Sequence, residues 1–191
     1  MFIKLFFSYS GVIAALWIFV SVIVTAKNYK GYSHSKQFLS ELGSRNSSVE
    51  KISPLVNHYP LGLLFVLFGG HLIYVGNLTI LFYVGWLIIL HGIGTWIAGY
   101  FPMDADPYVK SPSLSYKIHT LAGSIMSLSL LIAPLLCLLN NVFPKMFTLF
   151  TLTCLLVSMA FMLALVNAMN KKTNPGTYQR LSYGAQLIWL A

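Results

Sequence analysis

The 191-residue chain is 57% apolar and 8% charged, with twelve Lys plus Arg, four Asp plus Glu and a formal net charge of +8. Its mean hydropathy is +0.75. So few charged side chains cannot build the polar shell of a water-soluble domain. The basic residues stand singly between apolar runs rather than along one stripe, which fits membrane topology and excludes nucleic acid as a partner.

Apolar runs cover residues 5–26, 59–75, 78–101, 118–139 and 146–166, each near the ~20 residues that a spanning helix needs. They predict an all-α fold: a polytopic transmembrane helix bundle, one domain over 1–191, with five full spans plus a short or truncated sixth. The sixth stretch, 181–191, would reach only about 17 Å at ~1.5 Å per residue, so the chain either ends inside the membrane or is truncated. The first run lies between Lys4 and Val24-Thr25-Ala26, a faint cleavage-site pattern. At 22 residues it exceeds an ordinary signal core and is read as a span.

The polar passage HSKQFLSELGSRNSSVEKISP, residues 34–54, separates the first two runs. Phe38, Leu39 and Leu42 share one face of a short helix there, while Lys36, Gln37, Ser40 and Arg45 point elsewhere. With Ser35 as N-cap and Gly43 as C′ residue, an interfacial helix over about 35–43 is expected, a solvated linker being the alternative. Spans two and three meet through Gly76 and Asn77, a turn signal that makes them an antiparallel hairpin. Gly92, Gly94 and Gly99, with Gly94 and Ala98 in small-xxx-small spacing, make span three central. Gly123 and Ser127 give span four a similar face on which the two pack. Cys137 and Cys154 fall within apolar runs and are assigned to packing.

Odd and even connections lie on opposite sides of a membrane. Ten of the twelve Lys and Arg fall on the side of the first, third and fifth connections, against Lys4 and Lys145 on the other. The positive-inside rule makes those three connections cytoplasmic, in a bacterial inner (plasma) membrane.

All four acids fall on that same side. Ser40, Glu41, Asp104 and His119 are the catalytic candidates, as nucleophile, base and orienter of a hydrolase or transferase, or as a His/Asp set that activates water. Asn57, His58, His91, Gln179 and Arg180 are the ligand-binding candidates. Pro102, Asp104 and Pro107 read equally well as a loop that caps and turns the chain. His91 lies about 14 Å and His71 about 21 Å down their spans. That mismatch argues against a haem between them, and hydrogen bonding to a neighbouring helix is the plainer role. No GxSxG, HExxH or CxxC occurs, so no metal is assigned and the cofactor is unknown.

Four blocks, YSHSKQFLSELG (32–43), GIGTWIAGYFPMD (92–104), HTLAG (119–123) and GTYQRL (176–181), resemble in that order the membrane family known as domain of unknown function 998. The resemblance implies a compact bundle of about six helices and the positions Ser40, Glu41, Gly43, Asp104, His119, Gln179 and Arg180 as candidates. It implies no activity. Where that family often carries cysteines around the acid of the third connection, this chain has Met103 and Ala105. Three classes stay open: a protein that handles a lipid or other amphiphile at a polar interfacial site, a small-molecule or lipid carrier, and a structural or partner-binding membrane protein. Membrane lipids are the expected partners, and self-association through the glycine faces is open.

Overall fold

The computed structural model describes residues 2–77, 79–140 and 142–191; the expected start of span three at Leu78 lies outside them. Six helices follow in order: α1 (Phe2–Lys27), α2 (Tyr59–Gly76), α3 (Ile80–Tyr100), α4 (Leu114–Leu138), α5 (Lys145–Lys171) and α6 (Pro175–Leu190). Among the described residues, α1 to α5 are long and apolar enough to cross a membrane, the second counted from Pro54. At 16 residues, α6 is shorter but begins six residues before the expected partial span. Its apolar run starts late, whereas the helix itself starts where Pro175 takes the first helical position, which needs no N–H donor.

The interior follows membrane rather than aqueous logic. Leu16, Phe19, Leu149, Leu156 and Leu163 face outward, while Ser10, Ser21, Thr25, Thr151, Ser158 and Ser182 are buried. Lipid is as apolar as leucine, so small residues and interhelical hydrogen bonds, not greasy surface, hold the helices together. Between α5 and α6 those bonds form a row: Ser182 Oγ donates to the Ser158 carbonyl at 2.9 Å, Gln186 Nε2 to Ser158 Oγ at 3.0 Å, and Trp189 Nε1 to Thr151 Oγ1 at 3.2 Å.

The α2–α3 hairpin turns through Asn77, whose φ of +36° lies in the left-handed region that asparagine tolerates. Its two arms touch backbone to backbone at two levels. A Cβ on Gly69 would sit 2.5 Å from the Gly85 carbonyl oxygen, and one on Gly92 would sit 2.7 Å from that of Gly62. Gly62 and Gly69 are seven residues apart, as are Gly85 and Gly92, so each pair recurs on one helix face at a coiled-coil period. Span three is central as expected, since α3 also packs along α4. Gly94 contributes, with Met126 of α4 against it. Gly123 does not: nothing lies within 4 Å of a Cβ placed there. The small face of α4 is turned to a cavity, not to α3.

Just before α2, Pro54–His58 forms a π turn. Pro60 has no N–H, so the Val56 carbonyl four residues earlier loses its helical donor. Trp17 Nε1 of α1 donates to it at 2.9 Å, and Trp96 Nε1 of α3 donates to the Tyr59 carbonyl at 3.0 Å. The widened turn buries Asn57 and lays His58 against α3 where Gly99 leaves room, 2.6 Å separating a Cβ at Gly99 from that of His58.

The first connection forms a 3₁₀ turn over Leu39–Gly43, not one to two α-helical turns. Ser35 is not its cap: its carbonyl accepts from Thr177 N–H of α6 at 3.0 Å. Gly43 is the last residue of the turn rather than a left-handed C′ residue, and Ser44 closes it through an N–H bond to the Glu41 carbonyl. Phe38 and Leu42 are buried and Lys36 and Arg45 exposed, so the segment is sided, but its apolar side faces the helix bundle.

Gly69→Ala is expected to lower stability by about 1–3 kcal/mol, because the new methyl meets backbone that cannot swing away. Gly70→Ala, beside open space, should leave Tm unchanged or slightly raised. Thermal unfolding of both variants in detergent checks the pair; equal Tm values would refute the backbone contact.

Candidate functional site

The first, third and fifth connections meet at one end of the bundle. Arg45 N–H donates to the Met103 carbonyl at 2.9 Å, and the Lys172 ammonium lies 4.9 Å from the Tyr108 ring centre. Arg180, in the second turn of α6, ties that end together. Its Nη1 donates to the carbonyls of His34 (2.6 Å), Gln37 (2.9 Å) and Gly176 (3.0 Å), and its Nη2 to the Tyr32 hydroxyl. Gly176 permits the approach, since a Cβ there would strike the Gln37 carbonyl. Beside it, Gln179 Oε1 accepts from Leu39 N–H at 2.6 Å.

The acids serve the loops. Glu41 reaches back along its own turn to accept from Phe38 N–H at 2.7 Å and from Gln37 Nε2 at 3.2 Å, half of a capping box. Burial pushes its carboxyl above the usual carboxylate range, outweighing those two bonds and nearby Arg180, which pull it down. Asp104 accepts from Ser113 N–H at 2.8 Å, and the bonds from Ser113 hold its carboxyl below the usual range, with a smaller pull from Arg45. Asp106 closes a turn by accepting from Tyr108 N–H at 2.9 Å.

His119 meets neither Glu41 nor Asp104 through a hydrogen bond. Its Nδ1 is 3.0 Å from the Ala98 carbonyl and 2.9 Å from that of Phe101. Carbonyls only accept, so Nδ1 carries the proton and Nε2 keeps the lone pair. The end of α3 leaves these carbonyls without helical donors, and the imidazole one turn inside α4 supplies one. Among the described residues each group instead bonds backbone nearer to hand. His91 is likewise filled, with Nδ1 3.0 Å from the Met126 carbonyl and Nε2 3.0 Å from the Tyr183 hydroxyl. It joins α3, α4 and α6, the interhelical role anticipated for it.

Most candidates nevertheless share one space. A cavity of about 610 Å³ is lined by Ser40, Asn57, His58, His91, His119, Gln179 and Arg180; Glu41 and Asp104 do not line it. Its polar end adds Tyr116, and its remainder adds Ile18, Val22, Leu128, Leu131, Met162 and Leu165. The lining of α4 runs from Tyr116 to Leu131, about 22 Å at ~1.5 Å per residue. Helix α4 packs along α3 but meets α5 and α6 only lightly, and the lining residues Thr120, Ser124, Leu128 and Met169 are exposed at that seam. The cavity therefore opens sideways, through the wall that lipid covers. Asn57 is held by Ser53 and Thr25. Among the described residues, two buried nitrogens at the polar end have no hydrogen-bond partner, His58 Nδ1 and Arg180 Nε; the Ser53 carbonyl lies near the His58 ring without forming a bond of sound geometry. Among the described residues no three His, Cys, Asp or Glu side chains gather as a metal site would require.

Residues 12–191 match the family described as Protein of unknown function (DUF998). The chain belongs to this family. Its members are multi-pass membrane proteins, in accord with the five spanning helices found here. No curated protein and no solved structure matches the chain. Residues overlooked in the sequence are the deeper polar lining, Thr95, Ser182, Tyr183 and Gln186. Ser182, Gln186 and Trp189 recur at i, i+4 and i+7, and Thr151 and Ser158 at i and i+7, a periodicity that could have revealed the α5–α6 contact face.

Because the Glu41 pKa is raised, ionising it costs folded-state stability as pH climbs from the ordinary carboxylate range to the raised value. Glu41→Gln keeps an oxygen for Phe38 N–H and removes the charge. Its Tm should equal or exceed wild type at pH 7, with the gap closing in acid, where Glu41 is protonated. Glu41→Ala should lose about 1 kcal/mol with the cap. Thermal unfolding across pH checks this, and a marked loss for Glu41→Gln at pH 7 would contradict it.

Proposed function

We propose that this protein binds a lipid or similar amphiphile within a bacterial inner membrane, headgroup at the polar end of the α4–α5 cavity and chain along the apolar remainder. The observation that carries the reading is the two-ended lining of a cavity that opens toward lipid. A water-soluble ligand has no use for the stretch lined by Leu128, Leu131, Met162 and Leu165. An acyl chain does, because burying each methylene is worth ~0.8 kcal/mol against water, although far less against bilayer. The volume falls within the ~300–1,000 Å³ of ordinary ligand sites. If the bound amphiphile is an ester, Ser40 and His119, both in the lining, are the residues we propose to react with it, His119 through Nε2.

Native mass spectrometry of the purified protein should detect a co-purifying lipid. Gly123→Trp, which puts a large ring into the open space beside Gly123, should abolish that adduct without lowering Tm. Full retention of the lipid by a folded Gly123→Trp would remove the site from this cavity. Cleaved lipid recovered from wild type but not from His119→Ala would add a reaction to the binding.

The ten-to-two distribution of basic residues supports a cytoplasmic location for the polar end. Single cysteines at Ser48, Ser111 and Thr173 should resist an impermeant thiol reagent in intact cells and react after lysis; native Cys137 and Cys154 are buried. Ready labelling of all three in intact cells would invert the orientation.

A further inference from the structure

The polar end of the cavity presents fixed N–H donors and no carboxylate. Arg180 carries the only formal charge among the described residues that line it. With Nη1 and Nη2 committed to three carbonyls and Tyr32, the guanidinium is locked, and its buried Nε–H is left with no partner. Nitrogen of a guanidinium cannot accept, so only an acceptor can satisfy it. Gln179 is locked in the same way. Its Oε1 takes the Leu39 N–H, which leaves its amide nitrogen as a second fixed donor with no other bond formed. The Ser40 hydroxyl, on the same wall, is also unbonded.

Resting on the amphiphile reading above, we infer that the headgroup is a phosphate with net negative charge, accepting from Arg180 Nε–H and Gln179 Nε2–H. A phosphate presents several acceptor oxygens and no obligatory donor, which is the complement of this lining. A cationic headgroup would meet Arg180 with no carboxylate in the cavity to hold it. Glu41 is within electrostatic reach of Arg180, but it does not line the cavity, and its two oxygens already accept from Phe38 N–H and Gln37 Nε2. The guanidinium is held by carbonyl dipoles instead of a carboxylate, so its positive charge remains available to the ligand.

The test compares phosphatidylglycerol, diacylglycerol with the same chains, and inorganic phosphate, each titrated into the delipidated full-length protein in detergent and followed by native mass spectrometry and Tm. Phosphatidylglycerol is expected to bind about tenfold tighter than diacylglycerol, the scale of a charge-assisted hydrogen bond, and inorganic phosphate alone to give little stabilisation. Gln179→Glu keeps the bond to Leu39 and replaces the donor by a carboxylate oxygen; it should erase the preference. Ser40→Asp breaks no bond and should do the same, which covers the case of a Gln179→Glu that fails to fold. Equal affinity for the two lipids, or a preference that survives in a folded variant, overturns the phosphate assignment and leaves the amphiphile site standing. Full stabilisation by inorganic phosphate alone overturns the lipid source. Binding of neither lipid overturns the amphiphile reading itself.

Discussion

A backbone carbonyl that loses its helical donor inside a bilayer has no water to turn to, and most of this architecture is a set of answers to that constraint. Pro60 strips the Val56 carbonyl of its donor and Trp17 replaces it. The end of α3 exposes two carbonyls that His119 covers. The first connection has no regular structure to bond the His34 and Gln37 carbonyls, so Arg180 reaches them from α6. In each case a side chain from one element closes the backbone of another, and the same bond that satisfies a polar atom also sets the relative position of two segments.

The cavity follows from how these bonds are distributed. Helix α4 is fastened to α3 through His119, His91 and the Gly94 contact, and α6 is fastened to α5 through Ser158, Ser182 and Gln186. Between α4 and α5 no comparable row exists among the described residues. A seam with strong attachments on both flanks and little across it stays open, and α6 fills its inner side with polar side chains.

The spans were legible because a run of some twenty apolar residues has few other uses, and the shared end of the odd connections was legible from the alternation of the spans. Their ends were less so, since caps such as Ser113 and Pro175 rather than apolarity decide where a helix begins. Residue type and depth placed Ser40, His58, His119, Gln179 and Arg180 at one end, where a single cavity gathers them. The partners of Asp104 and His119 were not legible, because they are backbone groups. Backbone acceptors, invisible in a list of residue types, are closer and just as needy: Asp104 goes to Ser113 N–H and His119 to Ala98 and Phe101. The seven-residue spacing of Gly62 with Gly69 and of Gly85 with Gly92 is present in the sequence and marks the hairpin contact, which small-xxx-small spacing does not reveal.

The placement of Arg180 and Gln179 on α6 has a consequence for biogenesis. Helices α1 to α5 can enter the membrane and pair as they leave the ribosome, yet the His34, Gln37 and Leu39 backbone groups wait for partners about 140 residues downstream. Until α6 emerges and docks, the first connection lacks these ties and the seam lacks its inner wall. A nascent chain stalled before α6 would therefore leave those backbone groups unmet at the end of the bundle and the polar faces of the seam exposed within the bilayer, features by which membrane quality control distinguishes an unfinished protein from a finished one.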